Sequence, residues 1–520
     1  MTLRTQRVAR MAGPSRRRRR TRRLGRMLPF LAGVAVVALV VAAGWVMYQR
    51  FLASPTAEFR VLGVDGPLPG AVIEGPDGPI EAAGEFAAAV VAFEPPGEIR
   101  VTAPGYYPAL FEVAGIPDDG PLYLQLEPRV LKGLITRPGG TPLPQVNVAV
   151  GDLELVTDED GAFEVTAASP GTITAWRPAW ETASAEWDGS SDRFELTMEP
   201  FMVRGLRVSG PTAGNPTEFD RLLEYADETA INALVFDTKE ESGAVFYESA
   251  VQEAQDIGAI VPTYDPEEVL AKAKEHDLYT ITRIVTFQDG FRAPARPQHA
   301  IRDTVSGDIW TNYRGLGWMD ATDRESWTYP IALAEEACEL GFDEVQFDYV
   351  RFPSDGDVGR MGFDREINAE VRIETISGFL AEARDRLHEM GCAVSADVFG
   401  IVLSVPDDQG LGQRVEELSY SVDALSPMVY PSHYSDGWLG FDSPNDHPAE
   451  VVGQALDAGV PKLEGAAIMR PWIQAFYYDA SQMEEQYDQA DRLGVGYLLW
   501  NAFSEFDVNA LPPQSRYADE

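Results

Sequence analysis

GFDEVQFDYVRFPSDG, residues 341–356, reads as one β-strand that ends in a carboxylate. Val345, Phe347 and Tyr349 alternate with Gln346, Asp348 and Val350, the period of two that a strand imposes. Gly341 precedes the run, and Pro353 with Gly356 closes it. A helical stretch, SWTYPIALAEEACEL, comes before it, and another, INAEVRIETISGFLAEARDRL, follows. A charged residue at the C-terminal end of a strand set between two helices stands where barrel proteins carry chemistry. Asp348 is therefore the first candidate, with Arg351 beside it.

The same alternation of strand and helix runs through the chain from Phe201. Strands are predicted at 202–208, 232–238, 279–287, 343–350, 393–400, 424–430, 463–469 and 496–502, with helical stretches such as 266–277 and 480–494 between most of them. Eight such steps in one region fit a (β/α)8 TIM barrel. A doubly wound sheet is the alternative, but no Gly-rich phosphate loop follows the first strand.

The strand ends deliver polar and aromatic residues to one rim. They are Asp237 and Lys239 after the second strand, Arg283 on the third, and Asp348 and Arg351 on the fourth. Asp397 comes from the fifth, and Tyr430, His433 and Tyr434 from the sixth. Arg470, Trp472 and Gln474 follow the seventh, and Trp500 and Asn501 the eighth. Each alone has a structural explanation: Asp348 could pair with Arg351 or Arg283, and Asp237 with Lys239. The coincidence over seven strands points to a working rim. Carboxylates, arginines and aromatic rings suit sugars, because rings stack on apolar sugar faces and charged groups bind hydroxyls. Two carboxylates, one protonated and one ionised, cleave a glycosidic bond. Asp348 and Asp397 lie on consecutive strands, and like charges brought close raise one pKa. The five histidines form no metal-binding motif, so neither a metal nor a cofactor is expected, and no G-x-S-x-G motif is present.

Charge divides the chain. Residues 1–26 hold eleven arginines and no acid, although the whole chain carries −40, so the body is strongly acidic. Such a body repels polyanions, and nucleic acid is not an expected partner. Residues 27–48 carry no charge and, as a helix, span about 33 Å, enough for a hydrocarbon core of about 30 Å. Trp45 and Tyr48 fall at the far interface. The arginines then anchor the cytoplasmic side, giving a single-pass cell-membrane protein with its C-terminal bulk extracytoplasmic. A cleaved signal peptide is the rival, but its apolar region is usually only about 7–15 residues long. In such a compartment Cys338 and Cys392 either form one bridge or leave Cys338 as a core thiol.

Between anchor and barrel, residues 58–200 are rich in Gly, Pro, Val and Thr, without helical periodicity. LYLQLEP at 122–128 and FELTMEP at 194–200 mark a tandem of two small all-β sandwich modules. In the second, PLPQVNVAV and LVTDEDGAFEV resemble the carboxypeptidase regulatory-like module over about 130–200. That resemblance implies a spacer or a glycan-contact platform.

INALVFDTKEESGAV, RIVTF, GFDEVQFDYVRFPSDG, VSADVFG, SPMVYPSHY, RPWIQAF and GYLLWNA resemble, over about 201–506, a bacterial family of glycoside-hydrolase-like domains. The resemblance implies a barrel of the superfamily that holds α-amylase-like and chitinase-like enzymes. The chitinase-type D-x-x-D-x-D-x-E run is absent, since Gln346 and Val350 stand where acids would. By analogy with α-amylase-like barrels, Asp348 is the nucleophile and Asp397 the acid. The expected organisation is a basic head at 1–26, a transmembrane helix at 27–48, β-modules at 58–128 and 129–200, and the barrel at 201–512. The expected activity is hydrolysis of a carbohydrate. The rival is a non-catalytic glycan-binding surface protein on the same scaffold.

Overall fold

The structure is a computed structural model that describes residues 40–45, 55–75 and 77–518. The basic head and most of the expected membrane span lie outside the described residues. Of that span, residues 40–45 are helical and exposed. Among the described residues no helix is long and apolar enough to cross a membrane. The chain divides into two compact units at Arg129 and Val130.

In the first unit, strand Thr56–Gly63 pairs antiparallel with Ala88–Ala92 and parallel with Leu122–Gln125. A second sheet orders Gly78–Glu81, Val72–Gly75, Gly97–Thr102 and Ala109–Val113. The second unit opens with the same plan. Val130–Thr136 is flanked by antiparallel Ala162–Thr166 and parallel Arg193–Thr197. The facing sheet orders Leu153–Val156, Asn147–Val150, Gly171–Trp176 and Ala183–Trp187. LYLQ and FELT are the closing parallel strands of their respective sandwiches. In the TDEDG turn Gly161 has φ +67°, and a Cβ there would lie 2.7 Å from the Ile135 carbonyl oxygen, so only glycine fits.

The rest of the second unit is a closed ring of eight parallel strands. They are β1 (Arg204–Val208), β2 (Ala233–Lys239), β3 (Tyr279–Val285), β4 (Glu344–Asp348), β5 (Ala393–Phe399), β6 (Ala424–Val429), β7 in two pieces (Ile468–Met469 and Trp472–Gln474) and β8 (Tyr497–Trp500). β8 pairs with β1, which closes the ring. The helices between them are α1 (Pro216–Glu228), α2 (Pro266–Glu275), α3 (Glu325–Leu340), α4 (Ala369–His388), the one-turn α5 (Val415–Leu418), α6 (Pro448–Gly459) and α7 (Ala480–Arg492). After β8, short 3-10 turns stand in place of an eighth helix, and Pro513 bridges to Thr229 behind α1.

Both faces of each strand are covered, which is why β1, β2 and β4 are buried at every position. On β4, Val345 and Phe347 join the core beneath the helices, where Phe347 meets Phe379 of α4 at 5.1 Å. Glu344, Gln346 and Asp348 occupy the opposite face, toward the barrel interior. The interior is packed by Val203, Val235, Ile281, Trp472 and Leu498. β7 runs later than the predicted 463–469: Pro471 lacks an N–H and splits the strand, so Trp472 and Gln474 belong to it rather than to a loop beyond it. Cys338 of α3 and Cys392 before β5 are joined in a disulfide.

The second sandwich is seated on the N-terminal end of the barrel. Arg177 Nη2 lies 3.0 Å from Asp423, the residue before β6, and both are buried. His388 Nε2 contacts the same carboxylate at 2.8 Å. Trp180 Nε1 donates to the Ala466 carbonyl at 3.3 Å, and Arg137 donates to that of Gly465.

Candidate functional site

Arg283 organises the C-terminal end of the barrel. It projects inward from β3 opposite Asp237, and it is 1% exposed. Its Nε and Nη2 donate to Asp348 Oδ2 at 3.0 and 2.5 Å. Its Nη1 donates to Asp237 Oδ1 at 3.0 Å and its Nη2 to Glu241 Oε1 at 2.7 Å. Asp397 Oδ2 lies 3.8 Å from its Nε. Asp348 and Asp397 thus face one nitrogen from adjacent strands, and their oxygens are closer than the sum of those two distances. Asp237 is shared with a second cation, Arg207 of β1, whose Nη2 donates to Oδ2 at 2.5 Å. Trp500 lies beneath both guanidinium groups, at 4.3 Å from Arg207 and 5.0 Å from Arg283, and meets Trp472 edge to face at 5.3 Å.

The carboxyls differ in environment. Burial, and then the charge of Asp348, push the Asp397 carboxyl well above the usual range. Its Oδ1 accepts from Trp472 Nε1 at 2.7 Å, and its Oδ2 is buried without a hydrogen bond. For Glu241, burial raises the pKa, but the charge and hydrogen bond of Arg283 outweigh it and hold the carboxyl at about 2. Tyr349, directly after Asp348, has φ +50°, and its N–H donates to Asp348 Oδ1 at 2.6 Å. This strained residue fixes the carboxylate from its own backbone. Burial, and then the charges of Asp397 and Asp348, keep the Tyr430 hydroxyl protonated.

Asp237, Arg283, Asp348, Asp397, Tyr430, Trp472 and Trp500 therefore converge. Several other expected rim residues do not. A β-bulge between Asp237 and Lys239 shifts Lys239 into register with Ile284, whose side chain lies beneath the helices. Lys239 pairs there with Asp289 at 3.0 Å rather than with Asp237. Arg470 sits at the other end of the barrel, paired with Glu344 at the start of β4. Arg351 does not reach Asp348: it donates to the Phe352 carbonyl and to Ser354, and its guanidinium stacks near Trp318, Tyr349 and Phe399. Gln474 ties the β6 and β7 loops through Ser432 and Asn445, and Asn501 caps its own turn at Phe503. His433 is exposed in the β6 loop, 5.4 Å from the Tyr430 ring, and partial desolvation lowers its pKa. Tyr434 packs on Trp438 at 5.2 Å.

Arg207 and Glu241 belong to the cluster without having been expected there. The alternation of RGLRV would have shown Arg207 on the inner face with Gly205. Glu241 lies beyond the bulge, where no period holds. A cleft of about 560 Å3 at the N-terminal ends of α1 and α2 touches none of these residues.

Residues 205–506 match the family described as "Putative glycosyl hydrolase domain". No curated protein matches the chain. Among solved structures, a hypothetical protein from Ruminiclostridium thermocellum ATCC 27405 is 36% identical, with 37% of this chain and 97% of that one covered and a TM-score of 0.34. The spore cortex-lytic enzyme SleL of Bacillus megaterium QM B1551 is 11% identical over 60% of this chain and 73% of its own, at a TM-score of 0.37. An α-amylase from Lactobacillus plantarum is 14% identical over 58% and 71%, at a TM-score of 0.39.

Proposed function

The chain belongs to the glycosyl hydrolase domain family matched over residues 205–506, and from that premise we propose that it cleaves glycosidic bonds of an extracellular or cell-envelope polysaccharide, with Asp348 as nucleophile and Asp397 as proton donor. One observation carries the assignment: the two carboxyls flank a single guanidinium, and burial with the charge of Asp348 drives Asp397 toward its protonated form. A protonated carboxyl donates to the leaving oxygen while its neighbour attacks the anomeric carbon. Arg283 and Arg207 hold Asp237 and Glu241 as fixed counter-charges around that pair. The test is a glycan-panel hydrolysis screen with the full-length protein, reading new reducing ends. Absence of turnover on every glycan would overturn the assignment.

A second reading, a glycan-binding surface protein without turnover, is favoured by the ion pairing itself. Asp348 and Asp237 are spent on arginines, and their side chains are only 4% and 1% exposed. The same screen, run beside a binding assay, separates the two.

We read the arginine head and the uncharged segment 27–48 as a cell-membrane anchor with the barrel outside. The Cys338–Cys392 bridge suits an oxidising compartment. The protein is expected to stay with membranes on carbonate extraction, and a soluble mature chain beginning beyond Tyr48 would sink this placement. The second β-module, read as carboxypeptidase regulatory-like, serves as the base of the barrel.

A further inference from the structure

We propose that Tyr313, Tyr477 and Phe503 form an aromatic rim on which a neutral polysaccharide chain lies across the barrel mouth, so that the protein takes polymers in preference to short glycosides. This rests on the carbohydrate reading above and adds to it the length and charge class of the substrate. The three rings are 83%, 80% and 74% exposed. Single exposed hydrophobics are ordinary on protein surfaces. These three are set apart by where they stand and how they are held.

Tyr477 and Phe503 leave the barrel side by side. β7 and β8 are paired up to Gln474 and Trp500, and each ring follows three residues later. Both turns are fixed. The Gln474 side chain donates to the Phe476 carbonyl at 3.2 Å, and Asn501 Oδ1 accepts the Phe503 N–H at 2.9 Å. Tyr477 itself has φ +70° and Ser504, next to Phe503, has φ +55°. A bulky residue in the left-handed region is strained, and such strain gathers where a side chain must be aimed. Here it presents a tyrosine ring to water.

A run of ring contacts leads inward from there. Tyr477 meets Phe476 at 4.8 Å, Phe476 meets Tyr430 at 6.3 Å, and Tyr430 meets Trp500 at 6.3 Å. Trp500 lies under Arg283, at the centre of the carboxylates. Tyr313 belongs to the opposite side, since β3 and β7 stand four strands apart in a ring of eight. It follows Asn312, whose side chain donates to Gln288 at 3.0 Å, and Gln288 in turn donates to the Glu241 carbonyl at 2.7 Å. A chain resting on both sides crosses the Arg283 cluster. A sugar ring has an apolar face that stacks on an aromatic ring and hydroxyls that need no counter-charge. Asp479, Glu505 and Asp507 beside Tyr477 and Phe503 disfavour an anionic chain.

The test is affinity electrophoresis of the full-length protein carrying Asp348→Asn, in gels holding amylose, hydroxyethylcellulose, glycol chitin or polygalacturonate. Should that variant unfold, the native protein in the cold replaces it. At least one neutral polymer is expected to retard the protein, and polygalacturonate is not. Tyr477→Ala with Phe503→Ala, and separately Tyr313→Ala, are expected to weaken the retardation at least about fivefold. Tyr420→Ala, exposed before β6 at the other end of the barrel, is the control that leaves it intact. Retardation by no neutral polymer, or retardation indifferent to the rim substitutions, overturns the rim. Rim-dependent binding without any turnover would instead remove the hydrolase assignment and leave the rim standing.

Discussion

Arg283 carries more of this site than any carboxylate, because four acids are arranged around one planar cation. That sharing makes the substitutions separable. In Asp348→Asn, Arg283 keeps Asp237 and Glu241, so the fold is expected to survive while turnover falls at least about a thousandfold. Asp397→Asn is expected to lose turnover on the same scale. Asp237 differs, since it is held between Arg207 and Arg283 with 1% of its side chain exposed. Asp237→Asn leaves two buried cations short of a partner and is expected to cost about 3–5 kcal/mol of stability. Thermal melts beside kcat decide this: full stability in Asp237→Asn with turnover abolished would move the chemistry to β2. The Asp397 pKa is raised in the folded state, so the folded protein binds that proton more tightly than the unfolded chain does. Stability from this group is present at low pH and lost as pH climbs from the ordinary carboxyl range toward the raised value. Asp397→Asn is expected to flatten that slope in Tm against pH. Glu241 acts in the opposite sense: its contribution is present above the ordinary glutamate range and fades as pH falls toward about 2.

Among the elements, β2 and β7 decide which side chains reach the mouth. The bulge in β2 sends Asp237 inward and Lys239 under the helices, where it meets Asp289. Pro471 breaks β7 and leaves Arg470 facing Glu344 at the base of the barrel. The Cys338–Cys392 bridge ties α3 to the start of β5 across 54 residues. Replacing both cysteines by alanine is expected to cost about 2–4 kcal/mol. Denaturant titration of oxidised protein and variant measures this, and equal midpoints would show that the bridge contributes nothing.

On the scale of the whole molecule, the second sandwich is part of the barrel's footing. Ala424, Ala466 and Ile468 of the barrel are buried in the sandwich's own apolar cluster. Arg177 and Asp423 form an ion pair that neither part can satisfy alone, although Asp423 retains His388. Arg177→Leu is expected to destabilise the protein by about 1–3 kcal/mol, because it removes one of the partners of a buried carboxylate. Calorimetry is expected to show sandwich and barrel melting together, and a separate early transition for residues 130–200 would contradict that coupling.

The sequence by itself determined the alternation of strands and helices, the repeated sandwich plan, the acidic body behind a basic head, and the carboxylates ending β2, β4 and β5. These are patterns of period two or three to four, written within a few neighbouring residues. The tertiary structure alone decided who meets whom. Arg283 hydrogen-bonds acids 42 to 65 residues away, and Arg177 finds Asp423 across 246. No local period encodes which strands lie side by side, nor the bulge that turned Lys239 away while Glu241, two residues on, joined the cluster. Burial completes the division: nothing in the letters around Asp397 announces that its carboxyl is enclosed beside the charge of Asp348, and that enclosure lifts its pKa well above the usual range.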